Sequence, residues 1–512
     1  MKRSALVAML AVSAAGAAVL VGFGAGGLGA RPALAQGAGG DQACSALAAP
    51  GLFKDTTVSS AKMVAADDAK GLPAFCEMTA VISPEPRSHI GVVYRLPEGW
   101  NGKIATSGGG GWAGNVSLFG AMDGLRHGYA TGQTDGGHST SNVWDTSWAD
   151  NPAARTDFAY RAMHLMTVEA KEVVARYYGR HQTKTYYTGC STGGRQGLME
   201  VQRYPDDYDA VSTGAPVYNL LVQTTAIVRD QTFAAPGAGL DEAQLKLVND
   251  SVLGACDALD GVKDGLLADP RKCGWDPSAL QCKPGQSGDE CLTAPQVHAL
   301  RSVYAGVVLP DGERASWGIA KGGEVGWSRF LQISSAKGDA TNGGGLGGNL
   351  GKVITGNPNF SVATFDAARD MSLIRNSEFA HEYEANDPRI APFLAHGGKL
   401  LIWHGWSDPG PSPFGTIAYF DQVRRDNPNS GQSARLFLLP GVYHCGGGPG
   451  PDRMDVLTAI DAWSTTGKPP EIMVATKMNS PISRPICPYP TVATYKGHGD
   501  VNDTSSYACK VG

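Results

Sequence analysis

Short apolar runs bounded by glycine and proline predict strands at several places along the chain. The segment "HIGVVYRLPEGWNGKIATSGGGGWAG" reads as a strand, a turn at Pro97 to Gly102, a second strand and a glycine-rich loop. The run "TKTYYTG" predicts a short strand rich in Thr and Tyr, and two later apolar runs, "KLLIWHG" from Lys399 and "ARLFLLPG" from Ala434, predict further short strands. The two later runs are expected to be buried in the fold.

Segments with helical spacing of apolar residues separate these runs. They are "TDFAYRAMHLMTVEAKEVVARYYG", with Gly179 as a C-cap, "GGRQGLMEVQRYP", which ends before Pro205, and "DVLTAIDAWSTTG". Strands that alternate with helices indicate a mostly parallel α/β sheet.

Residues 217–395 depart from this alternation. They are rich in Gly, Asp and Asn and contain four cysteines. We therefore predict an α/β core in two parts, residues 36–216 and 396–512, with a lid domain inserted between them at 217–395.

Composition excludes some classes of function. Of the 512 residues 42% are hydrophobic and 18% charged, and the formal net charge is −5, as expected of a globular protein. No basic cluster with interleaved aromatic residues suggests a nucleic-acid partner. A monomer is expected.

Residues 1–35 resemble an export signal. Lys2 and Arg3 precede an apolar stretch, and "ALA" at Ala33 to Ala35 has the small residues of a cleavage site. Because the apolar stretch is long, an uncleaved N-terminal anchor is the alternative. A secreted or periplasmic protein is predicted, with no membrane contact after the signal is removed.

Ten cysteines in an exported chain indicate disulfides. Sequence alone does not fix the pairing, but proximity suggests Cys44–Cys76, Cys256–Cys273, Cys282–Cys291 and Cys487–Cys509. Cys190 and Cys445 then remain as candidate partners.

The segment "YYTGCSTGGRQG" places Ser191 in a G-x-S-x-G pattern between a predicted strand and a predicted helix. This context is typical of a nucleophile elbow, although a glycine-rich turn with an incidental serine is the alternative. A serine nucleophile needs a histidine base and an orienting carboxylate. Asp408 and His444 each follow a predicted strand, in the order serine, acid, histidine that hydrolases of this type show.

Other residues compete for these roles. His404 shares a loop with Asp408 and reads as a structural or pocket residue, and His138 is expected to shape the pocket. Asp135 precedes the serine and breaks the order. Cys190 as a free nucleophilic thiol is a further alternative. A Cys190–Cys445 disulfide would instead tie the backbone of the nucleophile to that of the base.

Two backbone amides should stabilise an oxyanion. We expect one from Thr192 and the other from Gly110 or Gly111 in "SGGGGWAG". A flexible turn or a phosphate loop would be alternatives, but the Lys-Ser/Thr ending of a phosphate loop is missing.

A separate acidic segment, "CDALDGVKDGLLADP", contains Asp257, Asp260 and Asp264. Its carboxylates and turns suit Ca²⁺, although the spacing is not that of an EF-hand.

These residues resemble the tannase and feruloyl esterase family. The resemblance runs from about Cys44 to Cys509 and is most specific in "GCSTGGRQ", Asp408 and the "HC" of His444 and Cys445. It implies an α/β-hydrolase core, a lid between core strands, a Cys190–Cys445 disulfide and five disulfides in all. It also implies a structural lid Ca²⁺ held by the three aspartates and by backbone oxygens of Val262 and Leu266, and no organic cofactor.

A serine carboxylic-ester hydrolase that acts on small aromatic esters is therefore expected. Trp317, Trp327 or Phe330 should supply an aromatic lid surface. Ferulate, gallate and terephthalate esters are not distinguished, but Thr192 matches the feruloyl esterases and tannases, whereas the terephthalate-ester hydrolase has glutamate there. A non-catalytic binding protein for phenolic or cell-wall ligands is the alternative.

Overall fold

A nine-stranded sheet forms the centre of the computed structural model, which describes residues 38–286, 290–331, 333 and 348–512. The predicted export signal lies outside these residues. In chain order the strands are β1 Thr56–Val64, β2 Phe75–Ile82, β3 Ile90–Pro97, β4 Lys103–Ser107, β5 Ala130–Thr134, β6 Lys184–Cys190, β7 Ala210–Gly214, β8 Gly306–Val308, β9 Arg314–Trp317, β10 Lys399–Gly405, β11 Ala434–Leu439, β12 Met473–Thr476, β13 Ser483–Ile486, β14 Thr491–Tyr495 and β15 Tyr507–Val511.

The central sheet has the strand order β1-β2-β3-β5-β4-β6-β7-β10-β11. The strands from β5 to β11 in this order pair in parallel, and β1, β2, β3 and β5 pair antiparallel. The mostly parallel sheet is thus confirmed. Because β6, β10 and β11 are parallel, the loops that follow them meet at one edge of the sheet.

Helices cover this sheet and fill the insertion. They are α1 Ala38–Ala46, α2 Leu118–Arg126, α3 Pro152–Thr156, α4 Ala162–Tyr178, α5 Thr192–Arg203, α6 Leu220–Ala234, α7 Glu242–Cys256, α8 Ala294–Ala305, α9 Gly348–Thr355, α10 Ala367–Arg375, α11 Glu378–Tyr383, α12 Ala391–Ala395, α13 Pro413–Asp426 and α14 Val456–Thr466. A π-helical turn, Asp157–Arg161, precedes α4.

The sequence of α4 explains its position on the sheet. Met163, Met166, Ala170 and Val173 recur at helical spacing and are buried in the core. Burial of each larger side chain of this kind contributes about 1.5–3 kcal/mol. The helix ends at Gly179, whose φ of 68° is left-handed and costs glycine little.

The chain between β7 and β10 contains α6 to α12 and the β8–β9 hairpin. One apolar cluster lies within this insertion around Phe233, Trp327 and Leu300. A second cluster joins insertion residues such as Tyr383 to core residues such as Trp112. The insertion is therefore packed against the core by continuous apolar contact, which is consistent with a lid.

All ten cysteines are described and paired. The bonds are Cys44–Cys76, Cys190–Cys445, Cys256–Cys273, Cys282–Cys291 and Cys487–Cys509, the pairs expected from the sequence. Within the described ranges, no helix combines the length and apolar character needed to cross a bilayer.

Candidate active site

Ser191 lies at a sharp turn between β6 and α5. Its φ of 63° and ψ of −121° are unusual for a residue with a side chain. A Cβ at Gly189 would come within 2.6 Å of the Gly193 carbonyl oxygen, and one at Gly194 would overlap the Gly214 carbonyl. Gly189 of the G-x-S-x-G pattern and Gly194 just after the pattern are thus needed for the close approach of β6, α5 and the end of β7.

Asp408 and His444 meet at the ends of β10 and β11. His444 Nδ1 is 2.7 Å from Asp408 Oδ2, and the Gly410 amide donates to Asp408 Oδ1 at 2.7 Å. An ionised carboxylate only accepts, so Nδ1 carries the proton and Nε2 of a neutral ring is left as a base. Among the described residues the Ser191 hydroxyl makes no hydrogen bond, which is common before substrate binds.

A second histidine supports the same carboxylate. His404 is fully buried, and its Nε2 is 3.1 Å from Asp408 Oδ2 while its Nδ1 is 2.8 Å from Thr416 Oγ1. Burial alone would raise the pKa of Asp408, but His444 and the His404 hydrogen bond outweigh it and hold that pKa at about 2. Of the two roles considered for His404, the structure fits the structural one.

The Cys190–Cys445 disulfide joins the two loops that carry Ser191 and His444. The Cα atoms of the two cysteines are 5.9 Å apart. Cys445, like Ser191, has a positive φ, of 60°. Because Cys190 is bonded, it is not a free nucleophilic thiol.

The glycine-rich loop lies beside the start of α5. Thr192 Oγ1 donates to the Gly111 carbonyl at 2.8 Å, and the Gly109 amide donates to Gln196 at 3.0 Å. The amides of Gly110 and Gly111 have no hydrogen-bond partner in the described part of the chain. Together with the Thr192 amide at the first position of α5, they are candidates for holding an oxyanion.

One cavity of about 340 Å³ contains these groups. Its wall includes Ser191, His444, the disulfide and both glycines. Gln223 and Arg229 are its other polar side chains, and the rest of the wall is mostly apolar: Trp112, Val143, Trp144, Val217, Val222, Phe330 and Leu331. The Phe330 ring packs edge to face on His444, 5.0 Å between centroids. The cavity is thus apolar around a small set of reactive groups, as ligand sites generally are.

Of the three lid aromatics named from the sequence, only Phe330 lines this cavity. Trp327 is fully buried inside the insertion, and Trp317 faces a separate groove beside Arg314. Trp112 and Trp144 of the core were not anticipated, because loop residues carry no periodic signal.

Arg229 of α6 is a further residue that the sequence did not indicate. Its guanidinium donates to the Pro409 and Gly410 carbonyls at 3.1 and 2.7 Å, directly after Asp408. Burial lowers the pKa of Arg229 to about 10 against the attraction of Asp408 and Asp230, so it remains charged at neutral pH. The insertion thereby holds the loop that contains Asp408.

His138 and Asp135 lie outside the cavity wall. His138 Nε2 donates to the Trp112 carbonyl at 2.7 Å, and burial lowers its pKa to about 4. It therefore shapes the pocket through Trp112. Asp135 accepts the amides of Gly91 and Gly137, each at 2.8 Å, and burial raises its pKa to about 7. It has no contact with His444 that would make it the orienting acid.

Comparison with known proteins assigns the chain to a family. The family described as tannase and feruloyl esterase matches residues 76–510. The chain belongs to this family. The mono(2-hydroxyethyl) terephthalate hydrolase of Piscinibacter sakaiensis is 32% identical over 520 aligned positions, which cover 86% of this chain and 85% of that protein. Feruloyl esterase B of Aspergillus niger is 30% identical, with 85% and 86% covered.

Solved structures agree with the family. The crystal structure of feruloyl esterase B from Aspergillus oryzae matches with a TM-score of 0.82 and 26% identity, and covers 92% of this chain and all of that one, 100%. Tannin acyl hydrolase from Aspergillus niger shares the fold, with a TM-score of 0.69 at 20% identity. The α/β-hydrolase fold is confirmed, and the protein is a carboxylic ester hydrolase rather than a non-catalytic binding protein.

The acidic loop of this esterase follows α7. Asp257, Asp260 and Asp264 each accept backbone amides of the loop, and Asp264 pairs with Arg484 at 2.6 Å. Burial, with the neighbouring carboxylates, raises the pKa of Asp260 to about 6. Three carboxylates and one arginine give the loop a net negative charge when all are ionised, which a bound cation would neutralise. The charge and the oxygen donors of this loop therefore fit Ca²⁺. Their oxygens do not form a cluster within 4.8 Å among the described residues.

Proposed function

We propose that this esterase hydrolyses small aromatic esters through an acyl-enzyme formed on Ser191. The observation that carries the proposal is a single cavity in which Ser191 and an Asp408-bonded His444 face an apolar, aromatic space. In this mechanism Ser191 Oγ attacks the ester carbonyl carbon while His444 Nε2 takes the hydroxyl proton. Asp408 stays ionised and stabilises the imidazolium.

The remaining steps follow from the same groups. The amides of Thr192 and of Gly110 or Gly111 hold the oxyanion. His444 then returns its proton to the leaving alcohol as the carbon–oxygen bond breaks. A water that has lost a proton to His444 attacks the acyl-enzyme, and the carboxylic acid leaves as Ser191 regains its proton.

The aromatic preference rests on the shape and lining of the cavity. A volume of about 340 Å³ suits a small ester, and Phe330, Trp112 and Trp144 offer ring faces or edges to an aryl acid. The names of the feruloyl esterase and terephthalate-ester relatives both refer to aromatic acids. Thr192 matches the residue that feruloyl esterases and tannases have at this position, whereas the terephthalate-ester hydrolase has glutamate there.

Two measurements test this function. A fluorophosphonate should label the wild type and not Ser191→Ala, and Ser191→Ala or His444→Ala should lower kcat about a thousandfold or more with folding retained. Methyl hydroxycinnamates or hydroxybenzoates should show higher kcat/KM than methyl esters of aliphatic acids of equal size. Equal values would remove the aromatic claim, and labelling of Ser191→Ala would remove Ser191 as nucleophile.

We also propose a structural Ca²⁺ at the acidic loop and export of the protein. Asp257, Asp260 and Asp264 would hold the ion, with backbone oxygens of Val262 and Leu266. Elemental analysis of protein prepared without chelator should find calcium, and chelation should lower the melting temperature without removing the Ser191 chemistry.

Five disulfides support the export of the protein to an oxidising compartment. N-terminal sequencing of exported protein should find the cleavage after Ala35.

A further inference from the structure

Three ionisable side chains converge outside the catalytic cavity. His164 of α4, Glu200 of α5 and Asp207 in the loop after α5 each present a possible ligand atom, and these atoms all lie within 4.8 Å of one another. Within the described ranges this is the one group of three or more His, Cys, Asp and Glu side chains with such spacing. None of the three lines the cavity of Ser191.

Glu200 is a buried carboxyl group whose negative charge no described side chain neutralises through an ion pair. It is 1% exposed, and no N–H or hydroxyl donor among the described residues reaches its carboxyl oxygens. Its polar neighbour is the Asp207 carboxyl, with which it can form a hydrogen bond only when one of the two carries a proton. A buried carboxylate without a partner is costly, since its desolvation is not compensated. Two carboxyl groups that face each other in the interior need a cation between them, either a proton or a metal ion.

The neighbouring charges do not supply that cation to Glu200. Lys171 Nζ lies 3.6 Å from Asp207 Oδ1, so it is directed at Asp207. The guanidinium of the buried Arg195 donates to the carbonyls of Phe158, Ala159 and Tyr383. Both cations attract the Glu200 carboxylate from a distance, but neither forms an ion pair with it in the described structure.

His164 is held in place for coordination. Its ring stacks on Tyr204 with 3.8 Å between centroids and 7° between planes, and its Nδ1 lies 2.6 Å from Asp207 Oδ2. The side chain is 27% exposed, which gives an ion a route from solvent. A metal would take the place of the proton between His164 and Asp207 and bring Glu200 in as the third ligand.

We propose that His164, Glu200 and Asp207 form a binding site for a divalent transition-metal ion such as Zn²⁺. Zinc is held by histidine nitrogen and carboxylate oxygen at about 2.0–2.2 Å, so its ligand atoms lie at most about 4.4 Å apart. The observed cluster needs only small side-chain movements to meet that limit. The imidazole distinguishes the site from Ca²⁺ and Mg²⁺ sites, which use oxygen.

The position suggests what the ion does. Glu200 lies in the last turn of α5, and a cation is favourable near the C-terminus of a helix. The ion would join α5, which begins directly after Ser191, to α4. It should therefore stabilise the fold and leave the chemistry at Ser191 unchanged.

The test is a calorimetric titration of the full chain with Zn²⁺ after a chelator has removed bound metal. Saturating Ca²⁺ is present during the titration, so that a site at the acidic loop is already filled. One equivalent should bind, release protons, and raise the melting temperature, and Co²⁺ should give the visible absorption of a nitrogen- and oxygen-ligated ion. Glu200→Gln and His164→Gln should each weaken binding at least tenfold. His396→Gln is the matched control, because His396 pairs with Asp206 at 2.6 Å on the surface without a buried carboxylate.

The outcomes separate a metal from a proton. Failure of the wild type to bind Zn²⁺ would show that a proton alone serves Glu200 and would overturn the proposal. Equal Zn²⁺ affinity of the wild type and His164→Gln would also overturn it. Because the His164 side chain is partly exposed, this variant should fold and can be measured even if Glu200→Gln does not fold. Neither result depends on the substrate of the esterase.

Discussion

Replacing both Cys190 and Cys445 with alanine should lower stability more than loss of any short-range disulfide of this protein. Their bond closes a loop with a sequence separation of 255 residues. The loss of loop-closure entropy in the unfolded chain then corresponds to about 5.5 kcal/mol. The Cys282–Cys291 bond, with a separation of 9, corresponds to about 2.6 kcal/mol by the same relation.

The same variant should lose activity, because the bond joins the backbone next to Ser191 to the backbone next to His444. Ser191 and Cys445 have φ values of 63° and 60°. Ser191 directly follows Cys190 in the chain, and Cys445 directly follows His444. Without the bond the two loops can relax apart, and a displacement of about 1 Å in a catalytic group can cost about a hundredfold in rate. The loss should fall on kcat more than on KM, because the apolar cavity wall is kept.

Denaturant unfolding and ester kinetics of both double variants provide the assay. The Cys282→Ala/Cys291→Ala variant is the matched control, since its cysteines lie in the insertion outside the cavity wall. The reasoning is refuted if the two variants lose equal stability, or if Cys190→Ala/Cys445→Ala keeps wild-type kcat.

Three further predictions concern single side chains. The low pKa of Asp408, about 2, means that its ionised form stabilises the fold above an ordinary aspartate pKa of about 3.9, and that this stabilisation is lost as pH falls toward 2. His404→Phe removes one cause of the lowering, so the midpoint of acid unfolding should move to higher pH; an unchanged midpoint would contradict the role of His404. The pKa of Asp135 is raised to about 7, roughly three units above its ordinary value, so Asp135 destabilises the fold increasingly between about pH 4 and pH 7. Asp135→Asn should therefore gain up to about 4 kcal/mol of stability relative to wild type at pH 8 and little at pH 4. Phe330→Ala should raise KM for aryl esters about tenfold and change KM for a small aliphatic ester little, measured by steady-state kinetics.

The position of the reactive groups could be predicted from the sequence because it depends on local order. Ser191, Asp408 and His444 each follow a short apolar run directly, and parallel strands bring such loops to one edge. The elbow also has a local signature, since its glycines are required by contacts at Gly189 and Gly194. Chain order and turn chemistry were thus enough to place these residues together.

The walls of the cavity could not be predicted in the same way. Trp112, Trp144 and Arg229 reach the site through tertiary packing, which leaves no periodic pattern at their positions. Trp327 was an equally good candidate from composition, but it is buried within the insertion. A pair such as His164 and Glu200 is likewise separated by more than thirty residues and meets only because α4 and α5 pack side by side.

The insertion has more than a covering role in this arrangement. Arg229 binds the two carbonyls that follow Asp408, and Phe330 packs on the ring of His444. Asp408 and His444 belong to the core, yet residues between β7 and β10 contact the loop of Asp408 and the ring of His444. The geometry at Ser191 therefore depends on the packing of the insertion against the core, and a change that loosens this packing would disturb turnover as well as the binding of the ester.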